Sequence, residues 1–406
     1  MQRPLLSNYF KGVATKRLSA VEVQPDASHQ HEFNGVQSLK KLFGSEQRRF
    51  TARFIYLGEG DDDTYTDIAY LTWYDARVQH PIRSEYRCYY PPNTVMERAK
   101  EGDLLVIGLQ SDEEVTVMIA RAGYTFERQL KWLFKLPDRQ TEQTFSAKRI
   151  DKKEDIQLDY SGRLVLDQIG IEVISVDDRY LEQMLRRFHG VFPPTIEFSA
   201  FARETLSSAV DITDPDKMLM DWMDQEEILF RTLERHLVGE RLKKSFKNDV
   251  DGFITYSLSV QNRRKSRAGY ALENHFEQLL LSRNIQYSRD AVTENKAKPD
   301  FIFPGVIQYH SSIFPASHLT MLGVKSTCKD RWRQVLAEAA RIEEKHLLTL
   351  EPSISENQTI EMRSNKLNLV VPESVHNSYK ARQLKYIINV RTFLELVEMK
   401  QRQSIN

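Results

Sequence analysis

Cysteine is nearly absent from this chain. Cys88 and Cys328 are the only two in 406 residues, which excludes a disulfide framework, and neither belongs to a paired zinc-ligand motif. Charge of one sign is missing as well: 57 basic and 57 acidic residues leave a formal net charge of zero. Any binding to a polyanion must therefore rest on local patches rather than on overall charge. No apolar run approaches membrane-spanning length, and the opening Met1-Gln2-Arg3-Pro4 has no signal-peptide apolar core. A cytoplasmic location without a membrane partner is the simplest expectation. Internal repeats and low-complexity tracts are absent too. What is present, 41% hydrophobic and 28% charged residues, suffices for substantial cores, most simply in two domains.

The first part of the chain reads as short strands. Phe50 to Leu57, Tyr65 to Tyr74, Tyr86 to Tyr90, Leu104 to Leu109 and Glu114 to Ala120 are rich in Tyr, Thr, Val and Ile, and short helices fit Val36 to Phe43 and the stretch near Val95 to Lys100. Such a pattern predicts a closed or half-closed barrel. Asp138 to Asp159 is strongly polar and reads as a loop or linker. From Asp178 onward helical patterns dominate. Phe192-Pro193-Pro194 breaks the chain before a helix near Ile196 to Ser208, and Asp214-Pro215-Asp216 precedes another running to about His236.

The densest chemistry lies between Lys298 and Glu338. Asp300-Phe301-Ile302-Phe303, closed by Pro304 and Gly305, reads as a buried strand, and Thr320 to Val324 as a second one that ends at Lys325. From Lys329 onward Trp332, Val335, Leu336, Ala339 and Ile342 recur at steps of three and four, which predicts an amphipathic helix with Arg331 and Glu338 on one side. Two carboxylates can hold a divalent cation while leaving positions for water and a phosphate oxygen. A lysine beside them can help activate that water and offset charge developing at phosphorus. Taken singly, Asp300 is a turn residue, Lys325 a solvated strand end and Glu338 an ordinary helix acid. Together, on strand, strand and helix, they favour metal-dependent phosphodiester chemistry.

This constellation resembles the PD-(D/E)xK nuclease superfamily, with one departure: the position two before Lys325, acidic in the common motif, is Gly323. In the subset of restriction endonucleases that recognise CC/GG-containing sites, the missing acid comes from the following helix, where Glu338 stands thirteen residues after Lys325. The strings NRRKSRAG (262 to 269), KPDFIFP (298 to 304), VKSTCKDRWRQV (324 to 335), HLLTL (346 to 350) and VVP (370 to 372) are similar to the catalytic domain of the EcoRII-type type II restriction endonucleases.

By that resemblance Asp300, Lys325, Glu338 and Glu273 are catalytic, with Asp300 and Glu338 holding Mg²⁺, and Lys329, Asp330 and Arg331 read the sequence. Arg or Lys can donate to guanine O6 and N7, while an acid accepts from cytosine N4. Lys329 and Arg331 at a helix N-terminus oppose the macrodipole, so capping explains them poorly. Arg263, Arg264, Lys265 and Arg267 form a basic cluster suited to phosphates. Glu273 falls on a helix whose apolar face is Leu272, Phe276, Leu279 and Leu280, and a solvated helix acid remains the alternative for it.

The N-terminal part is also similar to this family. Asn8-Tyr9-Phe10, Lys16 to Ala20 and Lys41-Leu42-Phe43 match the start of its effector domain, a B3-like DNA-binding pseudobarrel. Phe33 stands at an aromatic position of that domain's cleft, and Arg77, Arg83, Glu85 and Arg87 match its DNA-contacting strand and loop, with Pro81 and Tyr86 where the family has basic residues. Without the resemblance these charges would read as a solvated sheet edge.

The combined expectation is a mixed α/β protein. Residues 1–165 form the B3-like pseudobarrel with a linker at its end, and 178–406 form a restriction-endonuclease-like core with a central mixed sheet flanked by helices. The resemblance implies a Mg²⁺-dependent homodimer that hydrolyses double-stranded DNA, most simply at CCWGG (W being A or T), to 5′-phosphate ends. It also implies effector-site regulation and a cognate cytosine-C5 methyltransferase. Three alternatives stay open: a repressor with an inactive nuclease core, a structure-specific or repair nuclease, and the same enzyme class reading CCGG or CCNGG.

Overall fold

The computed structural model describes residues 3–24, 31–34, 36–59, 63–137, 143–150, 155–173, 177–206, 213–328 and 331–405. The chain divides into two compact units, residues 1–173 with 353–357, and residues 174–352 with 358–406. Both combine sheet and helix, so the mixed α/β class is borne out. Among the described residues no helix is long and apolar enough to cross a membrane.

The first unit is built on eight strands: β1 (Gly12–Arg17), β2 (Glu32–Phe33), β3 (Arg48–Leu57), β4 (Thr64–Asp75), β5 (Tyr86–Tyr89), β6 (Leu104–Leu109), β7 (Glu114–Ala120) and β8 (Ser146–Arg149). Their order is β2-β5-β4-β3-β7-β6-β1-β8, with β3 and β7 parallel and the other neighbours antiparallel. Side chains alternate faces along a strand, and here both faces are apolar. Phe50, Ala52, Phe54 and Tyr56 of β3 enter one cluster, while Ile55 and Leu57 enter another. The second cluster is covered by the helices Thr125–Leu133 and Tyr160–Gln168, through Phe126, Leu130, Val165 and Leu166. Around the first cluster the sheet curls until its ends approach: Phe33 on β2 lies 6.3 Å from Phe145, the residue before β8.

The first unit departs from expectation at two places. Ser146–Arg149, inside the stretch expected to be a linker, pairs with β1; its polar composition suits an exposed edge strand. Phe33, expected in a DNA-binding cleft, is 2% exposed and packs at a tilt against the Tyr90 ring, centroids 4.5 Å apart. Burying such a ring is worth about 1.5–3 kcal/mol, which favours the core over the surface.

The second unit carries a six-stranded mixed sheet in the order β14-β13-β12-β11-β10-β9. The strands are β9 (Ser288–Arg289), β10 (Phe301–Phe303), β11 (Thr320–Val324), β12 (Lys345–Leu348), β13 (Leu367–Val370) and β14 (Ile387–Ile388). β9, β10 and β11 are antiparallel neighbours, and β11 to β14 are parallel. Phe276 of the helix Val250–Ser282 lies 5.5 Å from Phe301 and 6.1 Å from Phe393 of the helix Val390–Ile405, so these rings join both helices to the sheet. A separate helical layer packs Phe188, Phe198, Phe201, Leu229, Phe230 and Leu233.

Asp216 opens the helix Pro215–Lys243 and ties it to two other segments. Its carboxylate accepts from the backbone of Glu373 (3.1 Å), Val390 (2.8 Å) and Arg391 (2.9 Å). Removing the side chain strands buried donors, so Asp216→Ala is expected to lower stability by about 2–4 kcal/mol. Urea unfolding would check this, and an unchanged midpoint would contradict it.

Candidate active site

The antiparallel register of β10 and β11 builds the centre of the site. Phe301 faces Leu322 and Phe303 faces Thr320, which carries the residue before β10 to the end of β11. Asp300 and Lys325, 25 positions apart in sequence, therefore meet. Asp300 Oδ2 accepts from the Val324 backbone N–H at 2.6 Å and from Lys325 Nζ at 3.0 Å. The Lys325 backbone N–H is itself held by the Leu348 carbonyl at 2.9 Å, continuing the parallel ladder with β12.

Glu338 reaches this centre by a route unlike the one expected. The helix after β11 spans only Trp332–Leu336, so Glu338 lies beyond its end and not on a shared helical face with Arg331. The apolar periodicity is real, since Trp332, Val335, Ala339 and Ile342 are all buried. Ala339, three residues past the helix end, nevertheless adopts φ +48°, so the helix does not resume there, and tertiary contacts to this turn override the periodicity. Glu338 Oε2 is buried and has no hydrogen-bond partner among the described residues. Burial and the negative charge of Asp300 push its carboxyl up to about 7.

Gly323, at the position that is acidic in the common motif, sits under the short helix. A Cβ on Gly323 would lie 2.9 Å from Val335 Cγ2 and 3.1 Å from Val335 Cγ1. The short helix packs directly on the strand there, so a side chain at this position would require Val335 to shift.

Glu273 lies on the helix Val250–Ser282, with Leu272, Phe276, Leu279 and Leu280 buried beside it. Its Oε2 accepts from Arg289 Nη2 at 2.7 Å. Burial and the charge of Asp300 raise its carboxyl, and the Arg289 pairing opposes this. Arg289 also donates to Asn274 Oδ1 (3.0 Å) and Glu277 Oε2 (2.8 Å). Nothing in the local sequence singled out Arg289; its role follows from the β9–β10 pairing alone.

The basic cluster is split by its position within one continuous helix. Arg267 is 6% exposed and pairs with Glu226 and Glu227, Arg264 pairs with Glu234, and Arg263 lies over the Phe192 ring at 4.7 Å. Lys265 is exposed. Arg267 is thus a core cation rather than a surface phosphate contact, because the helical repeat turns it toward the acids of the helix Pro215–Lys243. Lys329 and Asp330 lie outside the described residues. Arg331 is exposed and donates to the Thr327 carbonyl at 3.1 Å and to the Thr327 hydroxyl.

In the first unit Arg77, Glu85 and Arg87 come together. Glu85 pairs with Arg77 at 2.5 Å and with Arg87 at 3.0 Å, and Arg87 reaches Glu32, which also accepts from the Tyr74 hydroxyl at 2.9 Å. Arg83 is exposed on the loop between β4 and β5.

Among the described residues no three His, Cys, Asp or Glu side chains are gathered tightly enough to cage a metal ion alone. Mg²⁺ ordinarily takes one or two carboxylates and completes its shell with water and substrate phosphate. Asp300 and the unpartnered buried oxygen of Glu338 fit that requirement. Their mutual repulsion is what a cation between them would relieve.

Comparison with known proteins places these residues in context. Residues 230–394 match the family model described as EcoRII C terminal. A curated relative, "Type II restriction enzyme EcoRII" of Escherichia coli, is 39% identical over 216 residues, covering 53% of this chain and 52% of the relative. The chain thus matches about half the length of that relative. The resemblance drawn from the residue strings is borne out. Among solved structures, "Metal-depleted Ecl18kI in complex with uncleaved DNA" overlays with a TM-score of 0.45 at 20% identity, covering 55% of this chain and 84% of the other. "Restriction endonuclease PspGI-substrate DNA complex" overlays with a TM-score of 0.44 at 18% identity, covering 52% and 94%.

The raised carboxyl of Glu338 has a measurable consequence. Its folded value of about 7 lies above the ordinary 4.5, so the fold binds this proton more tightly than the unfolded chain. The stability it contributes is complete below about pH 4.5 and lost as pH rises through 7. Without metal, Glu338→Gln is therefore expected to melt higher than wild type at pH 8, by an amount worth about 1–3 kcal/mol, with the gain fading at pH 4.5. Melting curves in chelator would decide; an equal gain at both pH values would contradict the assignment.

Proposed function

We propose that this chain, whose residues 230–394 match the EcoRII C-terminal family, is a type II restriction endonuclease that hydrolyses double-stranded DNA at a short CC/GG-containing site. The observation that carries the proposal is the Asp300–Lys325 pair at the strand ends, with the unpartnered Glu338 oxygen beside it. Asp300 and Glu338 would hold Mg²⁺, which supplies Lewis acidity and lowers the pKa of a bound water. Lys325 is oriented by Asp300 and directs its ammonium toward charge that develops on the phosphate oxygens. Asp300 stays aimed because the Val324 backbone N–H occupies the same oxygen. Glu273 is the further acid of the site, held by Arg289. Attack of water on phosphorus breaks the P–O3′ bond, leaving a 5′-phosphate and a 3′-hydroxyl.

Lys329, Asp330 and Arg331 are the proposed base readers, with Arg263, Arg264 and Lys265 on phosphates; Arg264 would do so while remaining paired with Glu234. A twofold site calls for a twofold protein, hence a homodimer. CCWGG is the proposed site, and CCGG and CCNGG are the alternatives. The first unit is proposed to be a B3-like effector domain that binds a second copy of the site through Arg77, Arg83, Glu85 and Arg87, acting in the cytoplasm beside a cytosine-C5 methyltransferase. The gathering of Arg77, Glu85 and Arg87 into one cluster supports that role.

Sequencing the ends produced from one defined DNA in Mg²⁺ is expected to return a single site with 5′-phosphates. Asp300→Asn should lower the rate at least 1000-fold while site binding persists. Wild type that binds a site without cutting it at any Mg²⁺ concentration would favour a repressor instead. Supercoiled plasmids with several sites should be cut faster than those with one; equal rates would remove the effector role.

A further inference from the structure

Lys345 is a buried ammonium that no local sequence pattern marks. It is the first residue of β12, 6% exposed, and its Nζ donates to two backbone carbonyls, Ala339 at 3.2 Å and Ile342 at 2.7 Å. Both belong to the turn that follows Glu338. Ala339, 1% exposed, adopts the left-handed φ of +48°, a strained conformation for a residue with a Cβ that packed surroundings can impose. The surroundings do so from both sides. The Ala339 backbone N–H points to Thr293 Oγ1 at 3.4 Å, and that of Ala340 donates to Glu294 Oε2 at 3.2 Å. On the far side the Ala339 carbonyl accepts from Lys345 and from the Ile342 backbone N–H at 2.9 Å.

We infer that Lys345 is a positioning residue for Glu338: by gripping the carbonyls of Ala339 and Ile342 it holds the left-handed turn that aims the Glu338 carboxylate at Asp300. The inference rests on the nuclease reading of this site. A regular helix would carry its backbone ladder past Glu338, whereas here the run of backbone bonds ends with the Glu338 N–H on the Val335 carbonyl at 3.2 Å, and side chains add the hold on the turn that follows. A neutral donor could grip the carbonyls equally well. A cation also lies in the field of Glu338 and offsets part of its repulsion with Asp300.

The test uses the full chain with Lys345→Met, which keeps the stem and removes the donors, and Lys345→Arg, which keeps the charge. Mn²⁺ binding is read by calorimetry without DNA, and the Mg²⁺ midpoint for cutting a defined duplex is read separately. Lys345→Met is expected to weaken Mn²⁺ binding and raise the Mg²⁺ midpoint by about tenfold, with saturating Mg²⁺ restoring most of the turnover. Lys345→Arg should restore both to within about threefold of wild type. In a Glu338→Gln background Lys345→Met should cause no further loss of Mn²⁺ binding, because the residue acts through Glu338. Wild-type affinity and midpoint in Lys345→Met, or an equal loss in the Glu338→Gln background, would overturn the inference. If Lys345→Met does not fold, Thr293→Val loosens the turn from its other side. A raised Mg²⁺ midpoint in that variant supports the inference and an unchanged one overturns it. Mn²⁺ binding that responds to Lys345 in a wild type that cuts no DNA would refute the nuclease reading while leaving the positioning role intact.

Discussion

Asp300 Oδ2 accepts from both the Val324 backbone and the Lys325 ammonium, and it can do so only because β10 and β11 run antiparallel with Phe301 opposite Leu322. A slip of one residue would turn every side chain of β10 to the other face and separate the pair. Phe301, Ile302, Phe303, Met321 and Leu322 are all at most 1% exposed, so a slip would have to repack both faces of the strand pair at once. The rest of the site is arranged around that fixed point. β12 extends the ladder on one side through Lys325 and Leu348, and β9 brings Arg289 from the other.

Three carboxylates share this region, and their fields govern how each behaves. Burial first, and then the charge of Asp300, raises the carboxyls of both Glu273 and Glu338. Cations answer at different depths. Lys325 pairs with Asp300 directly, Arg289 with Glu273, and Lys345 sits behind the Glu338 turn. Glu338 alone keeps an unpartnered buried oxygen among the described residues of this trio. Lys325 and Lys345 offset part of its repulsion with Asp300, but neither bonds that oxygen.

Much of this architecture is legible in the amino-acid sequence. Stretches rich in Tyr, Thr, Val and Ile locate β3 to β7, and short apolar runs bounded by turn formers locate β10 and β11, all to within about two residues, because β-branched, aromatic and apolar side chains suit a pleated, at least half-buried surface. The failures have specific causes. Ser146–Arg149 carries no apolar pattern, since an edge strand takes its place from β1 and not from its own composition. The helix expected to reach Glu338 stops at Leu336, because burial of Ala339 and Ile342 satisfies the same periodicity in an irregular turn. Phe33 and Arg267 carry surface roles by resemblance but are packed inside.

What the sequence determined by itself is the chemistry: which acids and which lysine are available, the strands that carry Asp300 and Lys325, and the strings that align with the EcoRII C-terminal family. These are local properties, readable from residue type and short-range pattern. Only the tertiary structure decided that Glu338 arrives on a pinned left-handed turn, that Val335 packs against Gly323, and that Arg289 and Lys345 stand behind the acids. Those facts depend on distances between residues far apart in the chain. Such distances are set by how strands and helices pack, and no single stretch of sequence encodes them.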